Sequence, residues 1–116
     1  MMEAKEFANE WINAWNAHDL DRIMDHYSED IVFTSPFIQK VLGITDGTLR
    51  DKASLKNYFS KGLSLIPDLK FTLEQVVVGV NSMAIVYKNT SGILSVEVVE
   101  LNDQGKIVRS LAHYAQ

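Results

Sequence analysis

Apolar side chains repeat every three or four residues from the N-terminus to about residue 17. The repeating positions are Phe7, Ala8, Trp11, Ala14 and Trp15. Acidic and amide side chains occupy positions between them, as on the outer face of a helix that packs against a core. This period predicts an amphipathic helix over about residues 3–17.

Two further segments carry a helical period. Asp19 is suited to cap a second helix and Asp51 a third, because the free N–H groups at a helix start need acceptors. The apolar face of the second helix consists of Leu20, Ile23, Met24 and Tyr27, and the helix ends at Ser28–Asp30. The apolar face of the third helix consists of Leu55, Tyr58, Phe59 and Leu63, and Pro67 lies beyond its end.

The segment between the second and third helices has a weaker pattern. Residues 31–34 form a short β-branched and aromatic run, which predicts a strand that ends at Ser35–Pro36. Residues 37–50 have little periodicity and contain Gly43 and Gly47. They predict a loop or a short strand.

From residue 69 onward the apolar period changes to 2, which is the period of a strand. We predict strands near residues 69–79, 82–90, 92–102 and 105–115, joined by hairpin turns. Three helices followed by an antiparallel meander are typical of an α+β fold, in which the helices pack on one face of a curved antiparallel sheet.

Both faces of the strand predicted at 92–102 are mostly apolar. One face carries Val96 and Val98, and the other carries Val99 and Leu101. A sheet with one face in water would alternate with polar residues, so we expect both faces to be covered. The helices cover one face. A second copy of the chain, in a homodimer formed through the sheet, is the expected cover of the other, and simple exposure of valines is the alternative.

Composition indicates one ordinary globular domain over residues 1–116, with 47% apolar and 22% charged residues. The chain has no cysteine, which excludes disulfides and thiol chemistry. Its net charge of -4 and its lack of a basic cluster argue against a nucleic-acid partner. The longest apolar run, residues 76–80, is too short to span a membrane, and the N-terminus has no signal-peptide pattern. We therefore expect a cytoplasmic protein that binds neither nucleic acid nor membranes.

The order of several short segments resembles that of SnoaL-like proteins, which belong to the nuclear transport factor 2-like superfamily. The segments are Trp15–Asp21, His26–Asp30, Phe33–Phe37, Pro67–Phe71 and Asp103–Arg109. The resemblance covers about residues 5–115. It implies a cone-shaped fold in which three helices and a strongly bent antiparallel sheet enclose an apolar pocket, with dimerisation through the sheet in many members. This fold hosts isomerases, cyclases, dehydratases, epoxide hydrolases and binding modules, so function depends on the pocket residues.

The resemblance to ketosteroid isomerases within this superfamily places their functional residues at five positions. Their general-base Asp falls at Ser35, their oxyanion-hole Tyr at Trp11, and the Asp that assists this Tyr at Glu97. One supporting Tyr falls at Phe59, and another is retained as Tyr27. A serine hydroxyl cannot act as a base near pH 7 without a partner that takes its proton. Ketosteroid isomerase activity is therefore not expected.

Polyketide cyclases of the SnoaL type are the other source of chemistry that the resemblance implies. Their acid/base Asp, supported by His, lies toward the last strand. Here no carboxylate side chain follows Asp103, and His113 has no carboxylate beside it in the sequence. The sequence does not support this reaction either.

Glu97 is the candidate acid/base, because it lies mid-strand between two valines. Burial in an apolar pocket would raise the pKa of its carboxyl toward neutrality. The simplest pairing of the last hairpin joins Leu101 to Lys106, which places Ser110 opposite Glu97 and turns Tyr114 toward the pocket. A slip of one residue would instead give Glu97 an Arg109 neighbour, so both registers stay open.

We expect the pocket to bind a small apolar or aromatic molecule, and to require no cofactor and no metal. The candidate ligand-binding residues are Trp11, Trp15, Tyr27, Phe33, Ser35, Tyr58, Phe59, Val99, Ser110 and Tyr114, and Phe37 and Tyr87 are further aromatic candidates. His18, His26 and His113 share no metal-ligand spacing. Glu97 would transfer a proton in an isomerisation, cyclisation or dehydration. The alternative is a non-enzymatic dimeric interaction module with a vestigial pocket.

Overall fold

The helical period of the first residues corresponds to a real helix in the computed structural model, which describes residues 2–116. Helix α1 spans Ala4–Asn16, α2 spans Leu20–Met24, and α4 spans Lys52–Leu65. The predicted caps are confirmed. A carboxylate oxygen of Asp19 accepts the N–H of Arg22 at 3.2 Å, and one of Asp51 accepts the N–H of Ser54 at 2.7 Å.

The second helix ends earlier than its apolar pattern predicts. Tyr27 was assigned to the buried face of that helix, but it begins strand β1, Tyr27–Thr34. The N–H of Ile107 donates to the carbonyl of His26 at 2.7 Å, so pairing with the last strand starts at this point. A contact distant in sequence therefore overrides the local period.

A fourth helix occupies part of the segment predicted as loop or short strand. Helix α3 spans Pro36–Leu42, and the two-residue strand β2 spans Thr48–Leu49. The Ser35 hydroxyl accepts the N–H of Phe37 at 3.2 Å, and Gly43 ends the helix in the left-handed conformation, with φ 68°. Helix α3 was missed because Ile38 is its one fully buried side chain within the described chain, which leaves almost no amphipathic signal.

The four predicted strands of the second half are confirmed. They are β3 (Thr72–Gly79), β4 (Ser82–Lys88), β5 (Leu94–Leu101) and β6 (Ile107–Tyr114). The sheet order is β2-β1-β6-β5-β4-β3 across residues 2–116. Strand β1 runs parallel to β6, so the sheet is mixed and the expectation of a purely antiparallel sheet was wrong.

In the last hairpin, the side chains lie on the faces that the favoured register predicts, but the residues that pair across the two strands are different. Glu97 pairs with Ala112, and Val99 pairs with Ser110, whereas Ser110 had been expected opposite Glu97. The turn is one residue longer than predicted, and a bulge next to Glu100 adds one more. Because the total shift is two residues, Ser110 still shares a face with Glu97, while Arg109 lies opposite Glu100 on the other face.

The main core lies between the helices and one face of the sheet. Helix α1 packs against β3, and α4 packs against β1. The buried face of β4 carries Met83, Ile85 and Tyr87, and that of β5 carries Ser95, Glu97 and Val99. No helix within residues 2–116 combines the length and hydropathy that a membrane crossing requires.

Candidate functional site

A cavity of about 620 Å³ lies between the helices and the inner face of the sheet. Its wall is largely aromatic. Eight of the side chains predicted from the sequence line it: Trp11, Trp15, Tyr27, Phe33, Tyr58, Phe59, Glu97 and Tyr114. The further aromatic candidates Phe37 and Tyr87 line it as well.

The other three predicted ligand-binding residues do not line the cavity. Ser35, Val99 and Ser110 are each at most 1% exposed and lie in the wall behind it. Ser110 hydrogen-bonds to Glu97, and Ser35 caps the start of α3. Val99 faces inward as predicted, but it lies deeper in the core.

Phe71 also lines the cavity, although it is not among the candidates predicted from the sequence. Its ring stacks on Trp11 with centroids 5.9 Å apart and lies 4.7 Å from the ring of Tyr87. The N–H of Phe71 donates to the Asn16 side chain at 2.7 Å, which ties this segment to the end of α1. Phe71 lies inside the strand predicted near residues 69–79, but β3 begins only at Thr72, so the alternation of that strand does not set the direction of its side chain.

Glu97 is the buried carboxyl of the cavity, with 3% of its surface exposed. The Ser110 hydroxyl donates to Oε2 of Glu97 at 2.6 Å. Burial raises the pKa of Glu97 to about 7, although hydrogen bonds from Ser110 and Tyr87 pull it down. Within residues 2–116 no Lys, Arg or His forms an ion pair with Glu97. Both protonation states are therefore populated near neutral pH.

Phenol groups surround this carboxyl. Burial raises the pKa of Tyr27, Tyr87 and Tyr114, and the negative charge of Glu97 raises each further. These phenols therefore stay protonated and can donate hydrogen bonds throughout the physiological pH range. The Ser35 hydroxyl interacts with the phenol of Tyr114 and partly offsets the rise in its pKa.

Trp11 does not offer its indole N–H to the cavity. It donates to the phenol oxygen of Tyr27 at 3.1 Å, and both side chains are buried. The position of the oxyanion-hole Tyr in the isomerases therefore holds a donor that is already used. By contrast, the indole N–H of Trp15 is buried and has no acceptor within the described residues.

The histidines lie apart from this site. His18 pairs through Nε2 with the carbonyl of Leu69 at 2.9 Å, and it has a φ of 55° at the corner between α1 and α2. His26 contacts Glu10, and His113 is exposed. No group of three or more His, Asp or Glu side chains in the described part of the chain is arranged to hold a metal ion.

The fold resembles that of several solved structures. A SnoaL-like protein of unknown function from Burkholderia thailandensis is 42% identical, with a TM-score of 0.95 over 97% of this chain and 94% of that one. A proposed isomerase of the SnoaL-like family from Agrobacterium tumefaciens is 16% identical, with a TM-score of 0.77 over 100% of both chains. AclR, a proposed hydroxylase from Streptomyces galilaeus, is 23% identical, with a TM-score of 0.73 over 97% of this chain and 74% of AclR.

The two more distant structures support the fold alone, and their proposed activities differ from each other. None of the curated proteins has a significantly similar sequence. The sequence model of the SnoaL-like domain matches residues 8–110. With nearly the whole chain matched, this protein belongs to the SnoaL-like domain family.

Proposed function

We propose that the cavity binds a small apolar or aromatic molecule that carries an oxygen function, and that Glu97 exchanges a proton with it. The observation that carries the proposal is a buried carboxyl without a cationic partner in an aromatic-lined cavity. Burying a carboxyl without a cationic partner costs folding free energy. Ionisable groups whose pKa is shifted by such burial cluster at functional sites.

The reaction class follows from the protonation behaviour of Glu97. With a pKa of about 7, the carboxylate can take a proton from a carbon next to a carbonyl. The resulting carboxylic acid can return the proton to a different carbon or to an oxygen. Isomerisation consists of these two transfers. In an aldol-type cyclisation the carbanion forms a C–C bond to a second carbonyl, whose oxygen takes the proton, and in a dehydration the C–O bond breaks and the hydroxyl leaves with that proton as water. None of the three needs an oxidant or a reductant.

A phenol in the cavity wall can stabilise the negative charge that this proton transfer creates on the substrate. When a proton leaves carbon, negative charge develops on the carbonyl oxygen, and hydrogen-bond donors at that oxygen stabilise it. Tyr114 lies in the cavity wall with a raised pKa, so it can donate without ionising, whereas the hydroxyl of Tyr87 already donates to Glu97. Ser110 keeps the Glu97 side chain in place from behind.

Binding is tested by tryptophan fluorescence, because both tryptophans of the chain line the cavity. We expect neutral aromatic ketones and phenols to change the emission with saturation. Proton transfer is tested by hydrogen–deuterium exchange next to the carbonyl of a bound ketone in D2O, followed by NMR. Glu97→Gln should keep binding and lose this exchange.

Glu100→Gln is the matched control, because Glu100 lies on the same strand but is exposed on the other face. It should retain wild-type exchange. Equal exchange rates in wild type and Glu97→Gln would contradict the assignment of Glu97. A fluorescence signal that no probe changes would contradict the binding proposal.

A second candidate function, a dimeric interaction module, is favoured by the outer face of the sheet. Val77 and Leu94 on this face are 47% and 46% exposed, and the half-buried Val98 lies on the same face. We propose that a second copy of the chain covers this face. Light scattering should give a dimer for wild type and a monomer for Val98→Glu, with Val80→Glu at the β3–β4 turn as control. A wild-type monomer at micromolar concentration would contradict the dimer.

A further inference from the structure

The mouth of the cavity is surrounded by exposed apolar side chains. We define the rim as Phe37, Val41, Leu65, Ile66 and Ile93, which are between 39% and 63% exposed and which all line the cavity that contains Glu97. Three separate parts of the chain supply them: α3, the end of α4, and the residue before β5. An isolated exposed leucine is ordinary, but several apolar side chains that converge on one opening are typical of a binding site.

Polar groups are distributed unevenly along the cavity. The inner part holds the carboxyl of Glu97 and the phenols of Tyr27 and Tyr87, all buried. The charged residues in the lining other than Glu97 are Lys40 and Asp68, which are exposed. No cationic side chain of the described residues accompanies Glu97 inside, so the inner end favours a neutral oxygen over an anionic group.

From this distribution we infer that the ligand is elongated, with a neutral carbonyl or hydroxyl group beside Glu97 and an apolar body that extends out through the mouth and rests on the rim. The rim then selects ligands by the length of their apolar part. This inference rests on the proposed function, since it specifies the class of molecule that the same cavity binds. It also gives the exposed apolar groups a role, because each would leave water when the ligand is bound.

The dimensions agree with this assignment. A cavity of about 620 Å³ falls in the range of sites for ligands of several rings or a medium-length chain, about 300–1,000 Å³. Leu65 is the most exposed rim residue, at 63%, and it lies in the last turn of α4. Its side chain can gain contact with a ligand without any rearrangement of the core.

Straight-chain methyl ketones with about 4 to 12 carbons test the inference, since each added methylene contributes a similar increment to binding. Titrations follow the fluorescence of Trp11 and Trp15. We expect affinity to rise about threefold to fourfold per methylene, and to continue rising for chains that reach the rim. In the double variant Leu65→Ser/Ile66→Ser, affinity for the longest ketones should fall about tenfold while affinity for the shortest stays unchanged.

Val80→Ser is the matched control, because Val80 is 90% exposed at the β3–β4 turn and does not line the cavity. It should leave the whole series unchanged. An affinity that levels off at the shortest chains would overturn the inference, and so would a rim variant that weakens all ketones equally. A rim variant that changes the oligomeric state and not the affinities would also overturn it, because a second copy would then cover the rim.

Failure of this inference is distinguishable from failure of the proposed function. If short ketones bind and exchange deuterium through Glu97 but longer chains gain nothing, the inference about the rim is wrong and the proposed function stands. If no ketone of any length changes the fluorescence, both are wrong.

Discussion

Glu97 and Glu10 each accept a hydrogen bond of 2.6 Å, yet their pKa values shift in opposite directions. Glu97 is enclosed in the cavity and accepts from the neutral hydroxyl of Ser110. Glu10 lies on α1, keeps 29% of its side chain exposed, and accepts two hydrogen bonds from Arg22. The hydrogen bonds from Arg22 lower the pKa of Glu10, and burial raises that of Glu97.

The difference shows that a short hydrogen bond alone does not determine the charge of a carboxyl. A cationic donor compensates for the loss of water around the carboxylate, whereas a hydroxyl donor compensates only in part. Glu10 therefore acts as one half of a surface ion pair, with His26 as a further neighbour at 3.3 Å. Glu97 remains able to gain or lose a proton near neutral pH.

The largest expected effect is on the pH dependence of stability. A folded-state pKa of about 7 against an ordinary 4.5 means that the unfolded chain loses the Glu97 proton first. Rising pH between these values therefore favours unfolding, and the free energy of unfolding should fall by about 3 kcal/mol from this group. The loss should be complete above the folded pKa. Glu97→Gln should abolish this component in denaturant titrations at several pH values.

Glu100→Gln again serves as the control and should keep the wild-type pH dependence. The difference between wild type and Glu97→Gln is the quantity to compare, because His26 and other groups titrate in the same range. The pKa of His26 is lowered mainly by burial, so its own contribution has the opposite sign. Parallel curves for wild type and Glu97→Gln would show that the two glutamates do not differ as described.

An intermediate effect is expected when the hydroxyl donor to Glu97 is removed. Ser110→Ala deletes the hydrogen bond that favours the charged form, so the pKa of Glu97 should rise further, by about one unit. Carbon-13 NMR of the Glu97 carboxyl measures it directly. Ser95→Ala is matched in burial, but Ser95 donates to the Ile93 carbonyl and should leave this pKa unchanged. An unchanged pKa in Ser110→Ala would disprove the role of Ser110.

The smallest effect is expected at the ion pair. Arg22→Met should move the pKa of Glu10 upward toward its ordinary value and lower stability slightly at low salt, with a smaller loss at high salt. Arg50→Met breaks a more exposed pair with Asp46 and should cost less. A loss of stability in Arg22→Met that does not depend on salt, or that is as large as the effect expected for Glu97, would contradict the distinction drawn between Glu10 and Glu97.

Local patterns were enough to predict the strands, and to place Glu97 and Val99 on one face of β5. The structure turns this face toward the inside. Because the pairing is displaced by two residues from the favoured register, Ser110 and Tyr114 share this face with Glu97, as that register predicts. The bulge beside Glu100 carries no sequence signal, so the partner of Glu97 could not be predicted.

The residues around the mouth of the cavity were harder to predict from the sequence than those around Glu97. Helix α3 has one buried residue, Ile38, among those described, and its start depends on the Ser35 cap. Without that helix, the rim residues Phe37 and Val41 could not be placed together with Leu65. Tyr27 was assigned to a helix, because its pairing with Ile107 depends on a strand at the other end of the chain.

The parallel pairing of β1 with β6 has a consequence for how the chain folds. Val32 pairs with Arg109. The backbone groups on this edge of β1 therefore have no hydrogen-bond partners from the sheet until β6 is in place. Closing so long a loop costs entropy before any contact repays it, which slows folding. During synthesis on the ribosome, β1 and the helices have no completed sheet to pack against until β6 has emerged. We therefore expect the cavity to form only once β6 has emerged from the ribosome and paired with β1.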